Sequence, residues 1–90
     1  MEHQSVKFKV SGRVQGVGFR YHTAYFGLKI GVTGYAKNLW DGDVEVMVCG
    51  DDVQITKMEN YLRQGPPSAR VDSLSRQSVD IQHYKGFDIL

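Results

Sequence analysis

Residues 12–20 read Gly-Arg-Val-Gln-Gly-Val-Gly-Phe-Arg, three glycines and two arginines with no acid among them. They stand between an alternating apolar run and an amphipathic one, where a strand should hand over to a helix. A helix N-terminus presents unpaired N–H groups and a partial positive charge. Glycines just before it let the chain curl so that successive N–H groups converge. Arg20, at the loop–helix junction, adds a planar fork of donors suited to two oxygens of one phosphoryl group. The chemistry these residue types allow is anion binding, with phosphate foremost. A purely structural turn is the competing reading. The stretch lacks G-x-x-x-x-G-K-[ST], and Tyr21 stands where the last glycine of G-x-G-x-x-G would fall, so a nucleotide loop is not expected. Arg13 reads as a solvated strand-end charge, and Val17 and Phe19 as apolar plugs.

Other reactive residue types are scattered. His22 lies near Arg20 along the chain, which invites a general-base role, but an ordinary surface histidine is the plainer reading. His3 and His83 sit near the two ends and share no metal-ligand spacing, so no metal site is expected. Asp43 and Glu45 read as solvated strand charges rather than a catalytic pair. Asn38, ahead of Asp41-Gly42, reads first as a strand-end or turn residue. Trp40 either borders a site mouth or is a half-exposed turn residue.

The elements that must position these groups follow from periodicity. Val6, Phe8 and Val10 alternate with Lys7, Lys9 and Ser11, as in a strand with one buried face. Tyr21, Ala24, Tyr25, Leu28 and Val32 fall at helical spacing, with Gly31 as a stop. Gly27 inside that helix should cost about 1 kcal/mol against alanine, unless it permits close packing on a sheet. Thr33 to Leu39 reads as a second strand, Asp41-Gly42 as a hairpin turn, and Val44, Val46 and Val48 as a third strand. Asp51 or Asp52 caps a second helix whose apolar face is Ile55, Met58, Tyr61 and Leu62. Gly65 and Pro66-Pro67 end it. From Arg70 the alternation breaks around Val71 and Leu74, predicting a strand with a bulge. Phe87 and Ile89 mark a short last strand. The order β-α-β-β-α-β plus a terminal strand is the ferredoxin-like α+β sandwich, two helices on one face of an antiparallel sheet.

Composition bounds the rest. Ninety residues suit one domain spanning residues 1–90. With 41% hydrophobic and 23% charged residues and a net charge of +1, bulk charge points to neither nucleic acid nor membrane. Cys49 is the one cysteine, so no intrachain disulfide forms and a reducing cytoplasm fits. It reads as a small apolar residue at a strand end. The first ten residues hold no uninterrupted apolar run, so no secretory leader is expected. No apolar stretch is long enough to span a bilayer.

Two separated stretches resemble one family. Residues 12–20 are similar to the signature of the acylphosphatases. Gly34-Tyr35-Ala36-Lys37-Asn38-Leu39-Trp40-Asp41-Gly42-Asp43-Val44-Glu45 resembles their second signature, G-x-x-x-N-x-x-D-G-x-V-E, and Gly65-Pro66-Pro67-Ser68-Ala69-Arg70-Val71 resembles the family's connection after its second helix. The resemblance covers nearly the whole chain. It implies a five-stranded antiparallel sheet ordered 4-1-3-2-5. It implies hydrolysis of acyl phosphates to a carboxylate and inorganic phosphate, without a covalent intermediate, cofactor or metal. By position, Gln15, Gly16, Val17, Gly18 and Phe19 match the loop whose amides hold the phosphate. Arg20 matches the substrate-phosphate arginine, and Asn38 the water-positioning asparagine. The chemistry is consistent with these roles. A carboxylate leaves without a strong general acid, so the site chiefly needs charge stabilisation and a placed water. The expected partners are a small acyl phosphate and inorganic phosphate, with no nucleic acid and no membrane, and the expected state is a monomer. An RNA-binding sheet of this topology would show aromatics on its central strands, which Val44–Val48 lack. The alternative function is a non-catalytic sensor domain that keeps the anion loop.

Overall fold

The computed structural model describes residues 3–90, so Met1 and Glu2, the start of the stretch read for a leader, lie outside the described residues. The elements run β1 (Gln4–Arg13), α1 (Phe19–Ile30), β2 (Thr33–Asn38), β3 (Val44–Gly50), α2 (Asp52–Gln64), β4 (Arg70–Val79) and β5 (Phe87–Ile89). The alternation in β1 works as expected. Val6, Phe8 and Val10 are buried beneath the helices, and Val44, Val46 and Val48 of β3 join them.

The sheet order is β4-β1-β3-β2-β5. One expectation fails here, because the sheet is mixed rather than antiparallel. β2 and β5 pair in parallel, Gly34 with Phe87, Tyr35 with Asp88 and Ala36 with Ile89. The cause is topological. Antiparallel pairing sets β1 and β2 in one direction and β3 and β4 in the other. β4 lies at one edge, and residues 80–86 cross the sheet at the end where β4 finishes. Having crossed there, the chain can only run back along β2 in the same direction. The crossing segment is tied to the start of β1 by the Gln82 N–H, which donates to Ser5 Oγ at 2.9 Å. It also stacks His83 on His3 with ring centroids 5.4 Å apart. Ser5 and Cys49 are buried, Oγ and Sγ 3.2 Å apart, so Cys49 is the packed strand residue its context suggested.

The bulge in β4 is present. Ser11 faces Ser73 and Gly12 faces Val71, which leaves Asp72 as the extra residue. β2 ends at Asn38, one residue before the expected Leu39.

Helix α2 follows its pattern closely. Asp51 caps it in a reciprocal box with Gln54, and Ile55, Met58 and Leu62 are buried. Gln54 Nε2 also donates to the Ile30 carbonyl at 3.1 Å, closing the end of α1 beside the Gly31 cap.

Helix α1 departs from its predicted face. Tyr21, Tyr25 and Leu28 are 63%, 75% and 58% exposed, while Phe19, Thr23, Ala24 and Gly27 are buried. Phe19, Thr23, Phe26, Gly27 and Ile30 form a second stripe at helical spacing, rotated from the first. That stripe carries the small residues. A Cβ on Gly27 would stand 2.7 Å from the Phe87 ring, so the helix lies against β5 with no room for a side chain there. On the other flank Phe26 stacks on Tyr61 of α2, centroids 4.3 Å apart and planes 8° from parallel. Close backbone approach at Gly27 and the Phe26–Tyr61 stack together orient the buried face.

Candidate active site

Residues 14–18 bend from β1 into α1. Val14 and Phe19 are buried at the two ends of the bend and pin it to the core. Gly16 and Gly18 have φ of +74° and +78°, which a side chain would strain. Among the described residues, no main-chain N–H from Gln15 to Arg20 has a backbone or side-chain acceptor. Helix α1 adds its own N-terminus, with no side-chain cap and no acid in its first turn. A short arc of unpaired donors at a helix dipole's positive end is electrostatically ready for an anion. Phe19 contributes only its main chain, since its ring belongs to the core.

Two side chains fix this loop, one of its own and one from the 65–71 segment. Gln15 Nε2 donates to the Leu39 carbonyl at 2.7 Å and the Asp43 carbonyl at 2.9 Å, fastening the loop to the β2–β3 hairpin. Ser68 Oγ donates to the Val17 carbonyl at 2.7 Å. The hairpin is itself stiff. The Leu39 N–H donates to Asp43 O at 2.8 Å, and the Gly42 N–H donates to Leu39 O at 3.3 Å. Lys9 Nζ lies 3.0 Å from Asp41 and 3.4 Å from Asp43, and Ser11 Oγ donates to Asp43 at 2.8 Å. The Asp43 main-chain N–H, then Lys9, hold the Asp41 carboxyl below the usual carboxylate range.

Arg20 and Asn38 converge on one atom. Arg20 Nη1 donates to the Leu90 main-chain oxygen at 2.9 Å, and the Asn38 main-chain N–H donates to the same oxygen at 3.3 Å. Leu90 is held in turn through its N–H on Ala36 O at 2.8 Å, continuing the parallel β2–β5 pairing. Residues 70 apart in sequence are thus joined across the end of the sheet. Asn38 Oδ1 is buried with no hydrogen-bond partner. Such an acceptor favours a donor that arrives with a ligand or a water.

The remaining sequence candidates lie outside this arrangement. Asp43 is engaged by Ser11 and Lys9, and Glu45 accepts from the Tyr35 hydroxyl at 2.6 Å, so the two carboxylates serve the hairpin and sheet. Burial first, and Glu45 second, raise the Tyr35 hydroxyl well above its ordinary pKa. His22 places its ring beside Gly18. Trp40 is 95% exposed on the hairpin turn, beyond the half exposure expected of it. Among the described residues no three His, Cys, Asp or Glu side chains gather as a metal site, and no helix is long and apolar enough to cross a membrane. Sequence reasoning missed the Leu90 oxygen and the side-chain holds by Gln15 and Ser68. Gln15 and Ser68 lay inside quoted motifs, but nothing in the residue types marked Leu90.

The β4-β1-β3-β2-β5 sheet under two helices places the protein among ferredoxin-like α/β sandwiches. Comparison with known proteins narrows this. A family model described as Acylphosphatase matches residues 6–89. An acylphosphatase of Vibrio vulnificus is 56% identical over 84 residues, 93% of each chain. One of Vibrio cholerae is 54% identical over 91 residues, the whole of both chains. The solved structure of an acylphosphatase from Coxiella burnetii superposes with a TM-score of 0.93 at 33% identity, covering 98% of this chain and 93% of that one. The chain belongs to the acylphosphatase family, and its activity is hydrolysis of acyl phosphates, an acid-anhydride cleavage.

Proposed function

We propose that the amides of Gln15 to Phe19, with the Arg20 guanidinium, clamp the phosphoryl group of an acyl phosphate while Asn38 holds the attacking water. The observation that carries this reading is the shared anchor on Leu90, which keeps the Arg20 fork and the Asn38 strand end together, with Asn38 Oδ1 buried and unpartnered nearby. The amide oxygen accepts a hydrogen bond from the water and so directs a lone pair of the water oxygen at phosphorus. The water oxygen bonds to phosphorus as the bond from phosphorus to the acyl oxygen breaks. The electron pair leaves on the carboxylate, and a water proton ends on phosphate or solvent. Loop amides and Arg20 meet the charge on the equatorial oxygens without reorganising. No side chain forms a bond to phosphorus in this scheme.

A cytoplasmic location agrees with the reduced, buried Cys49, and a monomer is the working state of this reading. Benzoyl phosphate hydrolysis with inorganic phosphate as inhibitor tests the roles. Asn38→Ala is expected to lose about 10²-fold or more in kcat while phosphate inhibition stays within a few-fold. Arg20→Ala is expected to lose most activity and to weaken phosphate inhibition. Near-normal kcat in Asn38→Ala would overturn the water assignment.

A further inference from the structure

We propose that Ser68 is a positioning residue for the anion loop: its hydroxyl sets the Val17–Gly18 peptide so that the Gly18 N–H faces the bound phosphoryl group. The proposal rests on the reading that this loop receives phosphate.

The argument begins with the peptide plane. The described peptides are all trans, so the Val17 C=O and the Gly18 N–H point in opposite directions. Drawing the Val17 oxygen to Ser68 at 2.7 Å turns the Gly18 N–H away from the 65–71 segment. Left alone, this plane is poorly determined. A flip changes ψ of Val17 and φ of Gly18 together, and glycine accepts both signs of φ at little steric cost. Gly18 now sits at φ +78°. In the flipped state a carbonyl, not an N–H, would meet the phosphoryl oxygens. Among the described residues, Ser68 supplies the one side-chain hydrogen bond to a main-chain atom of Gly16, Val17 or Gly18.

Ser68 is itself held firmly. The turn Pro66-Pro67-Ser68-Ala69 is closed by the Ala69 N–H on Pro66 O at 3.0 Å, and both prolines restrict φ. Pro66 is buried, and Ala69 and Val71 pack on the core. A Cβ on Gly65 would lie 3.6 Å from the Phe19 ring, so this segment packs beside the first residue of α1. The serine therefore reports the position of the core to the loop. The bond is exposed, so its loss is not expected to unfold the protein.

The test compares wild type, Ser68→Ala and Ser68→Thr for benzoyl phosphate kinetics, phosphate inhibition and the ¹⁵N amide resonance of Gly18 under phosphate titration. In Ser68→Ala the KM and the phosphate inhibition constant are expected to rise about threefold to tenfold, the worth of one hydrogen bond. Its kcat should stay within about twofold, because the water side of the site is untouched. The Gly18 amide shift on phosphate binding should shrink, and Ser68→Thr should restore wild-type values. Unchanged inhibition and KM in Ser68→Ala, even with lower thermal stability, would overturn the proposal. If phosphate fails to inhibit wild type or to move its Gly18 amide, the loop reading falls and the Ser68 proposal with it. If wild type responds normally and Ser68→Ala matches it, only the Ser68 proposal falls.

Discussion

The guanidinium of Arg20 and the main-chain N–H of Asn38 donate to the same oxygen, that of Leu90, at 2.9 and 3.3 Å. A residue at the start of a helix and one at the end of a strand thereby share a third element, the continuation of β5. The Leu90 N–H on Ala36 O makes that element a fixed part of the sheet.

Shortening the chain to Ile89 removes this acceptor while deleting a side chain that is largely exposed. Arg20 then loses a charge-assisted hydrogen bond and gains rotamer freedom. The expected result is a rise of about tenfold in KM for benzoyl phosphate and in the phosphate inhibition constant, with far-ultraviolet dichroism unchanged. Steady-state kinetics decide it, and unchanged constants would show that Arg20 needs no such anchor.

Gly27 and Phe87 test the packing of α1. Alanine at position 27 gains about 1 kcal/mol of helix propensity. Its Cβ, however, would meet the Phe87 ring at 2.7 Å, and overpacking of this kind costs about 1–3 kcal/mol. Gly27→Ala is expected to be less stable than wild type by about 1 kcal/mol, with a Tm lower by roughly 4–8 °C. Combining it with Phe87→Leu should cost less than the sum of the two single changes. Urea unfolding of the four proteins gives the cycle, and strict additivity would mean the two residues do not collide.

Glu59 ties α2 to β4. Its carboxylate accepts from Arg76 at 2.6 Å and Arg63 at 2.8 Å. Arg76 chiefly, opposed by burial and helped by Arg63, holds its pKa below the ordinary glutamate value. A depressed carboxylate pKa contributes stability that is present above the unfolded value, near 4.3, and lost as pH falls through the folded value. Glu59→Gln is therefore expected to be about 0.5–1 kcal/mol less stable than wild type at pH 7, a modest figure for a partly solvated pair. The gap should close as pH falls below about 4. Denaturant unfolding across that range measures it, and a gap that persists in acid would assign the loss to packing instead.

Local signals carried much of this molecule. The alternation in β1 and β3, the Asp51 cap, the Asp41-Gly42 turn and the glycine-bent loop before Arg20 were all legible as residue patterns, because each depends on neighbours within a few positions. The two signature stretches name Arg20 and Asn38, and the fold brings both to the Leu90 oxygen. Helix α1 shows where this legibility ends. Two stripes compete on its surface, and the one through Tyr21, Tyr25 and Leu28 stays in water. The Phe87 ring, 60 residues further along, admits only a glycine at the contact, and no window on the helix contains that information. The direction of β5 was equally hidden, since it depends on the end of the sheet at which the chain crosses from one edge to the other. By itself the sequence determined the elements, the glycine-bent turn and the family. The tertiary structure decided which helix face is buried, that the last strand runs parallel, and that Leu90, Gln15 and Ser68 hold the site. Each of these is a contact between distant segments, whose geometry exists only once the whole sheet has formed.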